Sequence, residues 1–397
     1  MRKQRLARIG AATLAAVLTV QGMGFSPTVY AKEEIVRVKA DSQSQMSSEP
    51  ERVAVKDYGS NSVRTQNFDS DWKFNLGDVS NAQSPTFDDS KWRTLSLPHD
   101  YSIEQEYSQS LEAESGYLPG GVGWYRKNFT LGEEAKGKRI RIDFDGVYMN
   151  ATVYVNGKEV GMHPYGYTPF SFDITDYISY DKENTIAVKV DHQTPSSRWY
   201  SGSGIYRSVS LTTTNDIHVD LNGIKVESNN LAKEAGKTVN TDIKTTVIND
   251  SKEAQNVTVT HTVFKKGEKP DKAIGSFTTE AQEIGAGKKV EISAAVPVKN
   301  PELWSVENPA LYTIRTEVKA GDKLLDSYDT EYGFRYLNFD TETGFQLNGK
   351  NVKLKGVCMH HDQGALGAVA NRRAIERQVE ILQEMGCNSI RVTHNPA

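Results

Sequence analysis

The side chains best suited to chemistry near the end of this 397-residue chain are histidines and a carboxylate that follow two short apolar segments. His360, His361 and Asp362 come after the first segment, and His394 comes after the second. Such groups can hydrogen-bond a ligand or bind a metal ion. A metal site needs three or four converging ligands, and the spacing here matches no recognised metal motif. The pattern therefore favours hydrogen bonding, either to a ligand or, as the alternative, only to neighbouring loops.

A strand, a helix and a second strand are predicted to position these side chains. Residues 352–358 form a short apolar strand, Asn371 is a suitable N-cap, and a helix is expected to begin at Arg372. Gly386 ends the helix, and residues 388–392 form the second strand. The helix is expected to bury one stripe of apolar residues at helical spacing, namely Ile375, Val379, Leu382 and Met385.

The strand–helix–strand connection makes the two strands parallel neighbours, about 4.8 Å apart. His360 and His394 then lie just past the C-terminal ends of the strands, at one rim. In β/α barrels that rim carries the active site, so both histidines are predicted to take part in a functional site. Arg391 alternates with its neighbours on the second strand and is predicted to face a buried layer, where it needs an acidic partner.

A series of motifs in a fixed order resembles glycoside hydrolase family 2, particularly its β-galactosidases. These motifs are GVCMHHD (356–362) and NSIRVTHNP (388–396), preceded by LPHDYSIE (97–104), GWYRKNF (123–129), the run 144–161, SRWYSGSGIYRSV (197–209) and LWSVENPALY (303–312). Because they occur in the family's order, the resemblance is specific, and it covers nearly everything from about residue 64 onward.

The resemblance implies a multidomain fold. An all-β jelly-roll sandwich is followed by an immunoglobulin-like β-sandwich and then by the first βαβ unit of a (β/α)8 TIM barrel, which is truncated in this chain. It also implies that His360 and His394 bind sugar hydroxyls in the innermost subsite, that Asp100 reaches this subsite from the jelly roll, and that Arg391 lies near a catalytic carboxylate. For Asp100, an Asx turn is the alternative. His361 and Asp362 are weaker candidates for support of the site.

Two aromatic residues are candidates for the pocket wall. Trp199 and Tyr200 precede the glycine-rich turn 201–204, which an exposed loop would tolerate. Flat aromatic faces suit the C–H surface of a pyranose ring. Some β-galactosidases have an aspartate in this segment where Arg198 stands, so the sodium site associated with that aspartate is in doubt here. No metal ligand and no cofactor is assigned, and Mg²⁺ or Na⁺, which occur in the full-length family, has no support in these residues.

The hydrophobic patterns fit the implied domains. Alternating apolar residues and an Asn156-Gly157 hairpin turn predict strands throughout 64–214, the jelly-roll sugar-binding-like domain. A second β pattern over 215–333 predicts the immunoglobulin-like domain, and 334–397 is predicted to begin the catalytic barrel.

The N-terminal region predicts export. Residues 1–31 have the layout of a signal peptide, with an apolar region at 9–20 and a small-residue cleavage site at 29–31, and the alternative is an uncleaved anchor. This layout predicts a secreted or cell-surface protein that contacts the membrane only during export. Residues 32–63 are polar and are predicted to be a disordered linker. Cys358 and Cys387 lie at opposite ends of parallel strands and are expected to stay unpaired.

The charge balance excludes one class of partner. Lys plus Arg number 47 and Asp plus Glu number 51, which gives a net charge of −4 without a basic stripe, so nucleic-acid binding is not expected. The predicted partner is a carbohydrate, a β-galactoside, oligosaccharide or glycan, and the oligomeric state is left open.

The predicted function is hydrolysis of terminal β-D-galactosides with retention by the full-length protein. Retention needs two carboxylates about 5–5.5 Å apart, and the family supplies them from strands four and seven of the barrel, beyond Ala397. No nucleophile or acid/base is therefore named, and this chain by itself is expected to be inactive. The alternatives are a β-glucuronidase or β-mannosidase of the same family and a non-catalytic carbohydrate-binding surface protein.

Overall fold

A computed structural model describes residues 51–53 and 64–394 of the chain. The predicted signal peptide, 1–31, lies outside the described residues, as does most of the predicted linker, 32–63. Within the described part, neither helix combines the length and the apolar character that crossing a bilayer requires.

The first domain is a sandwich of two sheets. Its strands are β1 (Glu51–Val53), β2 (Thr65–Asn67), β3 (Trp72–Leu76), β4 (Arg93–Leu95), β5 (Gly121–Leu131), β6 (Arg139–Phe144), β7 (Ala151–Val155), β8 (Lys158–His163), β9 (Phe170–Asp173), β10 (Glu183–His192) and β11 (Val209–Thr214). One sheet has the order β4-β3-β5-β10-β7-β8, with β1 also beside β5, and the facing sheet has the order β2-β11-β6-β9. This two-layer arrangement confirms the all-β sandwich predicted for the domain.

Alternation of apolar and polar residues explains why these segments form strands with one buried face. Ile140, Ile142 and Phe144 of β6 lie in the core between the sheets, and their sequence neighbours point away from it. The Asn156-Gly157 turn joins β7 to β8, and both residues have positive φ angles of 51° and 79°. These angles are those of a type I′ turn, which matches the twist of the two flanking strands.

Part of the predicted linker is a strand. Glu51–Val53 pairs in parallel with Phe129, Thr130 and Leu131 of β5. The prediction of disorder was therefore wrong for these three residues. The physical reason for this strand is that backbone pairing requires neither apolar side chains nor a long segment, and β3 leaves residues 129–131 of β5 free to pair with it. Composition alone does not detect such pairing.

The second domain is also a two-layer sandwich, as predicted. Its elements are β12 (Ile217–Glu227), α1 (Leu231–Glu234), β13 (Thr238–Asn249), β14 (Gln255–Lys265), β15 (Gly275–Thr278), β16 (Gln282–Ile284), β17 (Lys288–Lys299), β18 (Tyr312–Ala320) and β19 (Lys323–Tyr332). The sheet β12-β13-β17 faces the sheet β15-β14-β18-β19, in which β16 also pairs with β14.

His261 is buried in this domain, where its ring nitrogens contact the hydroxyls of Thr245 and Thr316.

The second domain continues past its predicted end at residue 333. Phe334 is fully buried in its core and packs edge-on against the rings of Tyr312 and Tyr332, with centroid distances of 5.3 and 5.0 Å. The predicted boundary therefore falls too early, because Phe334 contributes its ring to the sandwich core rather than to the barrel.

A buried ion pair joins the two sandwiches. The Arg64 guanidinium, at the start of the first domain, donates to the carboxylate of Asp326 on β19 and to the carbonyl oxygen of Val219. Asp326 also accepts the amide of Val219 at 2.8 Å, and Arg64 and Asp326 are both buried. Burial raises the pKa of Asp326, and Arg64 opposes this change.

The C-terminal part begins with a small antiparallel sheet and ends in the predicted βαβ unit. Its elements are β20 (Leu337–Asp340), β21 (Gly344–Leu347), β22 (Lys350–Asn351), β23 (Gly356–Met359), α2 (Arg372–Glu384) and β24 (Ser389–Val392). β23 and β24 are parallel, as the connection predicts, and Asn371 caps α2 by accepting the amide of Ala374 at 3.1 Å. The first strand lies somewhat later than predicted, because residues 352–355 precede β23 without forming part of it.

The apolar stripe of α2 is not buried within the described residues. Val379 is 44 % exposed and Met385 is 69 % exposed, while Ile375 and Leu382 are half-buried. The prediction of a buried stripe was therefore wrong for this chain, although the helix and its bounds are as expected. A helix face is buried only by elements packed on it, and periodicity along the helix does not say whether those elements are present.

Candidate functional site

The candidate site is built at the end of the two parallel strands. Gly356 pairs with Ser389 and Met359 with Val392, so β23 and β24 end level with each other. Thr393 extends the pairing by donating its amide to the carbonyl oxygen of Met359 at 2.9 Å. The residues that follow the two strands therefore leave the sheet at the same rim.

His360 and His394 lie side by side at this rim, and a tryptophan of the first domain packs on both. The two imidazole centroids are 5.1 Å apart. The Trp199 ring is stacked on His394 with centroids 4.2 Å apart and meets His360 edge-on at 4.9 Å. We call these three residues the rim cluster. Trp199 and His360 are half-buried and His394 is exposed, so the cluster offers a flat aromatic surface and imidazole nitrogens at the protein surface.

Asp100 lies beneath this surface and is almost completely buried, at 1 % exposure. Its Oδ1 accepts the backbone amides of Ser102 and Ser203, each at 2.9 Å. Its Oδ2 accepts the Tyr200 hydroxyl at 2.6 Å and the Ala368 amide at 2.9 Å. The bond to Ser102 is the Asx turn that the sequence left as the alternative. A direct contact between Asp100 and a sugar stays a prediction, and the observed role of its carboxylate is to hold Tyr200 and Ala368.

Tyr200 is the side chain that connects Asp100 to the rim cluster. It is half-buried and follows Trp199 directly in the chain. Burial, and next the negative charge of Asp100, raises the pKa of Tyr200 well above its usual value. The phenol therefore stays protonated over the working range of an enzyme and remains a donor to the Asp100 carboxylate.

Two glycines allow the segments around Asp100 to approach so closely. Gly202 and Gly367 have φ angles of +68° and +61°, a region that glycine adopts without steric cost. A Cβ atom at Gly202 would lie 2.6 Å from the Cβ of Ala368, and one at Gly367 would lie 2.9 Å from the Tyr200 hydroxyl. The loop 361–370, which we call the barrel loop, therefore docks on the first domain only with glycine at both positions.

Three matches to family models cover nearly all of the described chain. The model for the sugar binding domain of glycosyl hydrolases family 2 matches residues 65–215, a second model of glycosyl hydrolases family 2 matches 218–335, and the model of its TIM barrel domain matches 341–397. The chain belongs to glycoside hydrolase family 2.

Individual relatives in family 2 support the same conclusion. A β-galactosidase of Bacteroides ovatus is 46% identical over 335 residues, which make up 83% of this chain and 38% of that protein. The crystal structure of a glycosyl hydrolase family 2 member from Bacteroides cellulosilyticus superposes with a TM-score of 0.79 at 38% identity, and the match covers 84% of this chain and 43% of that one. The crystal structure of a β-glucuronidase of Bacteroides uniformis superposes with a TM-score of 0.73 at 34% identity, and the match covers 84% of this chain and 40% of that one. The family 2 chain thus spans less than half the length of each of these relatives.

His361 has a different environment from the neighbouring His360 in this family 2 chain. Its ring is buried and meets Tyr167 and Tyr206 edge-on, with centroids 5.7 and 6.0 Å away. Neither ring nitrogen makes a hydrogen bond of normal geometry to a described protein atom. Burial lowers the pKa of His361, opposed by the nearby main chain of Ser201 and by Asp362. The neutral ring packs against these two tyrosines. Asp362 is exposed, and support of the site by either residue stays a prediction.

Arg391 and the cysteines are also located by the structure. Arg391 is exposed, not buried as predicted, and its guanidinium donates to the Sγ of Cys358 at 3.5 Å. Arg391 is exposed for the same reason as the α2 stripe, because nothing in the described residues covers this face of β24. Cys358 and Cys387 are both free thiols, as expected.

The described residues do not gather a metal site. No three His, Cys, Asp or Glu side chains within 64–394 converge as ligands would. Arg198 is exposed beside the rim cluster, and its guanidinium cannot ligate the sodium ion that an aspartate would hold at that position.

A group of tyrosines that the sequence motifs did not single out packs against the barrel loop and supports the site. Tyr148, Tyr167 and Tyr206 form a buried cluster that closes over Ala368 of the barrel loop. The amide of Ala370 also donates to the carbonyl oxygen of Tyr206 at 2.9 Å. Tyr206 lies within the SRWYSGSGIYRSV motif, so the sequence indicated that this segment belongs to the site. Only the fold shows that Tyr206 contacts the barrel loop.

Proposed function

We propose that the complete protein, of which this chain forms part, hydrolyses terminal β-D-galactosides with retention of configuration. The observation that carries the proposal is the rim cluster, in which Trp199 of the sugar-binding domain is stacked on His394 and touches His360 of the barrel. A flat ring suits the apolar face of a pyranose, and two imidazoles beside it suit the hydroxyls. The similarity to the β-galactosidase of Bacteroides ovatus supports galactose as the sugar.

The chain's own residues bind and orient the sugar in the proposed reaction. Trp199 provides the stacking surface, and His360 and His394 hydrogen-bond hydroxyls of the terminal sugar. The Oδ2 atom of Asp100 keeps Tyr200 and the barrel loop in place by accepting the Tyr200 hydroxyl and the Ala368 amide. Its Oδ1 atom accepts the amides of Ser102 and Ser203 and so fixes Asp100 within the first domain. The two carboxylates of the retaining mechanism come, in this proposal, from the barrel beyond residue 397.

A family 2 β-glucuronidase is the second candidate. It is favoured by the similarity to the Bacteroides uniformis β-glucuronidase and by Arg198, an exposed cation next to Trp199. A glucuronide carries a carboxylate at C6, and a guanidinium is well suited to bind it. Loss of glucuronide hydrolysis in an Arg198→Gln variant would identify this role.

The test compares kcat/KM of the full-length protein for aryl β-galactoside, β-glucuronide and β-mannoside. A preference for the galactoside by at least about tenfold, or 1.4 kcal/mol in transition-state binding, is the expected result. A preference for either other sugar overturns the choice of galactose. Galactoside binding without hydrolysis of any of the three would indicate a carbohydrate-binding surface protein.

We also propose that the protein is exported, because basic residues precede an apolar segment and a small-residue cleavage site at 29–31. Sequencing the N-terminus of the protein recovered from culture medium and from the cell surface is the test. A mature protein that begins near residue 32 is expected, and a full-length protein confined to the cell interior would contradict export.

A further inference from the structure

A loop of the first domain carries two exposed tyrosines next to the candidate site. Tyr107 is 74 % exposed and Tyr117 is 46 % exposed. Together with Ser108 and Gln109 they line one cleft, which we call the tyrosine cleft. The amide of Ser108, which follows Tyr107, donates to the carbonyl oxygen of Tyr117 at 2.9 Å, so a backbone hydrogen bond closes the loop between the two tyrosines.

The tyrosine cleft adjoins the rim cluster through Tyr200. A Cβ atom placed on Gly116 would lie 3.5 Å from the Cδ2 atom of the Tyr200 ring, which is van der Waals contact. Tyr200 is the direct neighbour of Trp199 and is fixed by its hydrogen bond to Asp100. The aromatic surface that begins at the rim cluster therefore continues through Tyr200 to the loop that bears Tyr107 and Tyr117.

The backbone of the loop presents Tyr117 at a steric cost. Tyr117 has a φ angle of +61°, in the left-handed region that a bulky side chain rarely adopts. Two hydrogen bonds hold it there, because its amide donates to Glu112 and its carbonyl oxygen accepts from Ser108. Strained backbone of this kind is typical of binding sites.

We propose that the tyrosine cleft binds the second sugar ring of a β-galactosyl oligosaccharide, the ring that leaves when the glycosidic bond is cleaved. The inference rests on the proposed function, which places the terminal sugar at the rim cluster, so that the next ring must lie beside it. Tyr107 and Tyr117 supply aromatic faces for stacking, and Ser108 and Gln109 supply polar groups for hydroxyls. Exposed aromatic rings with a few polar groups are the chemistry that recognises a pyranose. The tyrosine cleft would therefore add binding free energy for oligosaccharides that a substrate with a small leaving group does not gain.

The test compares two substrates on the full-length protein. β-Galactosyl fluoride has no ring on its leaving side, whereas a β-linked galactosyl disaccharide has one. The variants are Tyr107→Ala and Tyr117→Asn, and asparagine is chosen because it tolerates the left-handed backbone. Each variant is expected to lower kcat/KM for the disaccharide about tenfold, which corresponds to loss of one stacking contact, and to leave hydrolysis of the fluoride unchanged.

Two controls separate stacking from other causes. Tyr107→Phe keeps the ring and is expected to retain disaccharide hydrolysis. Phe277→Ala removes an aromatic ring of similar exposure, 41 %, from β15 of the second domain and is expected to affect neither substrate. Equal losses on both substrates in Tyr107→Ala and Tyr117→Asn would overturn the cleft as a sugar subsite, since the tyrosines would then act through Tyr200. Unchanged hydrolysis of both substrates would overturn it as well, and the proposed function would stand in either case. A full-length protein that hydrolyses neither substrate overturns the proposed function and the subsite together.

Discussion

The carboxylate of Asp100 accepts the backbone amide of Ala368 at 2.9 Å, although the two residues are 268 positions apart in the chain. This bond ties the sugar-binding domain to the barrel loop, which follows His360 in the chain. The same carboxylate oxygen accepts the hydroxyl of Tyr200, so the position of the pocket wall and the position of the barrel loop are set by one group. A change at Asp100 must therefore affect both domains.

Replacing Asp100 by alanine is expected to destabilise the chain strongly. The change leaves four donors without their acceptor, namely the buried amides of Ser102, Ser203 and Ala368 and the hydroxyl of half-buried Tyr200. A buried unsatisfied group costs about 1–3 kcal/mol, so the free energy of unfolding should fall by more than about 3 kcal/mol in urea denaturation. Asp88→Ala is the matched control, because Asp88 is exposed and forms an Asx turn by accepting the amide of Ser90, and the loss of stability in this variant should be clearly smaller. Equal losses would contradict the bridging role.

Replacing Trp199 should impair sugar binding more than folding. Trp199→Ala removes the ring that is stacked on His394, and kcat/KM of the full-length protein for a β-galactoside should fall about a hundredfold, or about 2.7 kcal/mol. Trp199→Phe keeps a smaller aromatic face and should lose less. Trp124 is buried in the first domain, so Trp124→Phe is expected to lower stability while leaving kcat/KM nearly unchanged. Wild-type activity in Trp199→Ala would exclude the rim cluster as the sugar site.

Acid should weaken folding through buried histidines. Burial lowers the pKa of His261 and of His192 from 6.5 to about 4. Between these values the unfolded chain binds a proton at each histidine and the folded chain does not, so stability is lost as pH falls from 6.5 to about 4. The loss is about 1.4 kcal/mol per pH unit for each histidine. Urea denaturation at pH 7 and pH 5 measures it, and His261→Gln should reduce the difference by about 2 kcal/mol. An unchanged difference in that variant would refute the assignment to His261.

Breaking the ion pair between the sandwiches should be costly. Arg64→Met leaves the carboxylate of Asp326 buried without its cation, which is expected to cost about 3–5 kcal/mol of unfolding free energy. The double variant Arg64→Met/Asp326→Leu should recover only part of this loss, because the amides of Val219 and Ser327 also donate to Asp326. Arg372→Met breaks an exposed pair on α2 and should be nearly neutral. An equally small effect of Arg64→Met would show that the buried pair does not hold the two domains together.

Local patterns in the sequence determined much of this protein. Alternation of apolar residues predicted the two sandwiches, the Asn156-Gly157 pair predicted the turn between β7 and β8, and Asn371 predicted the start of α2. The parallel pairing of β23 and β24 followed from their connection, and it brought His360 and His394 together as expected. These features depend on residues a few positions apart or on one strand–helix–strand crossover connection, and such information is present in the sequence itself.

Contacts between distant segments were decided only by the tertiary structure. Three of the hydrogen bonds to Asp100, from Tyr200, Ser203 and Ala368, join residues about a hundred or more positions apart. The burial of Phe334 in the second sandwich and the pairing of Glu51–Val53 with β5 likewise join segments whose separation carries no periodic signal. The prediction that Arg391 and the α2 stripe are buried was wrong for the same reason. A side chain's burial depends on which surface is packed on it, and the free energy of that packing is set by the whole fold rather than by the residue's neighbours in the chain.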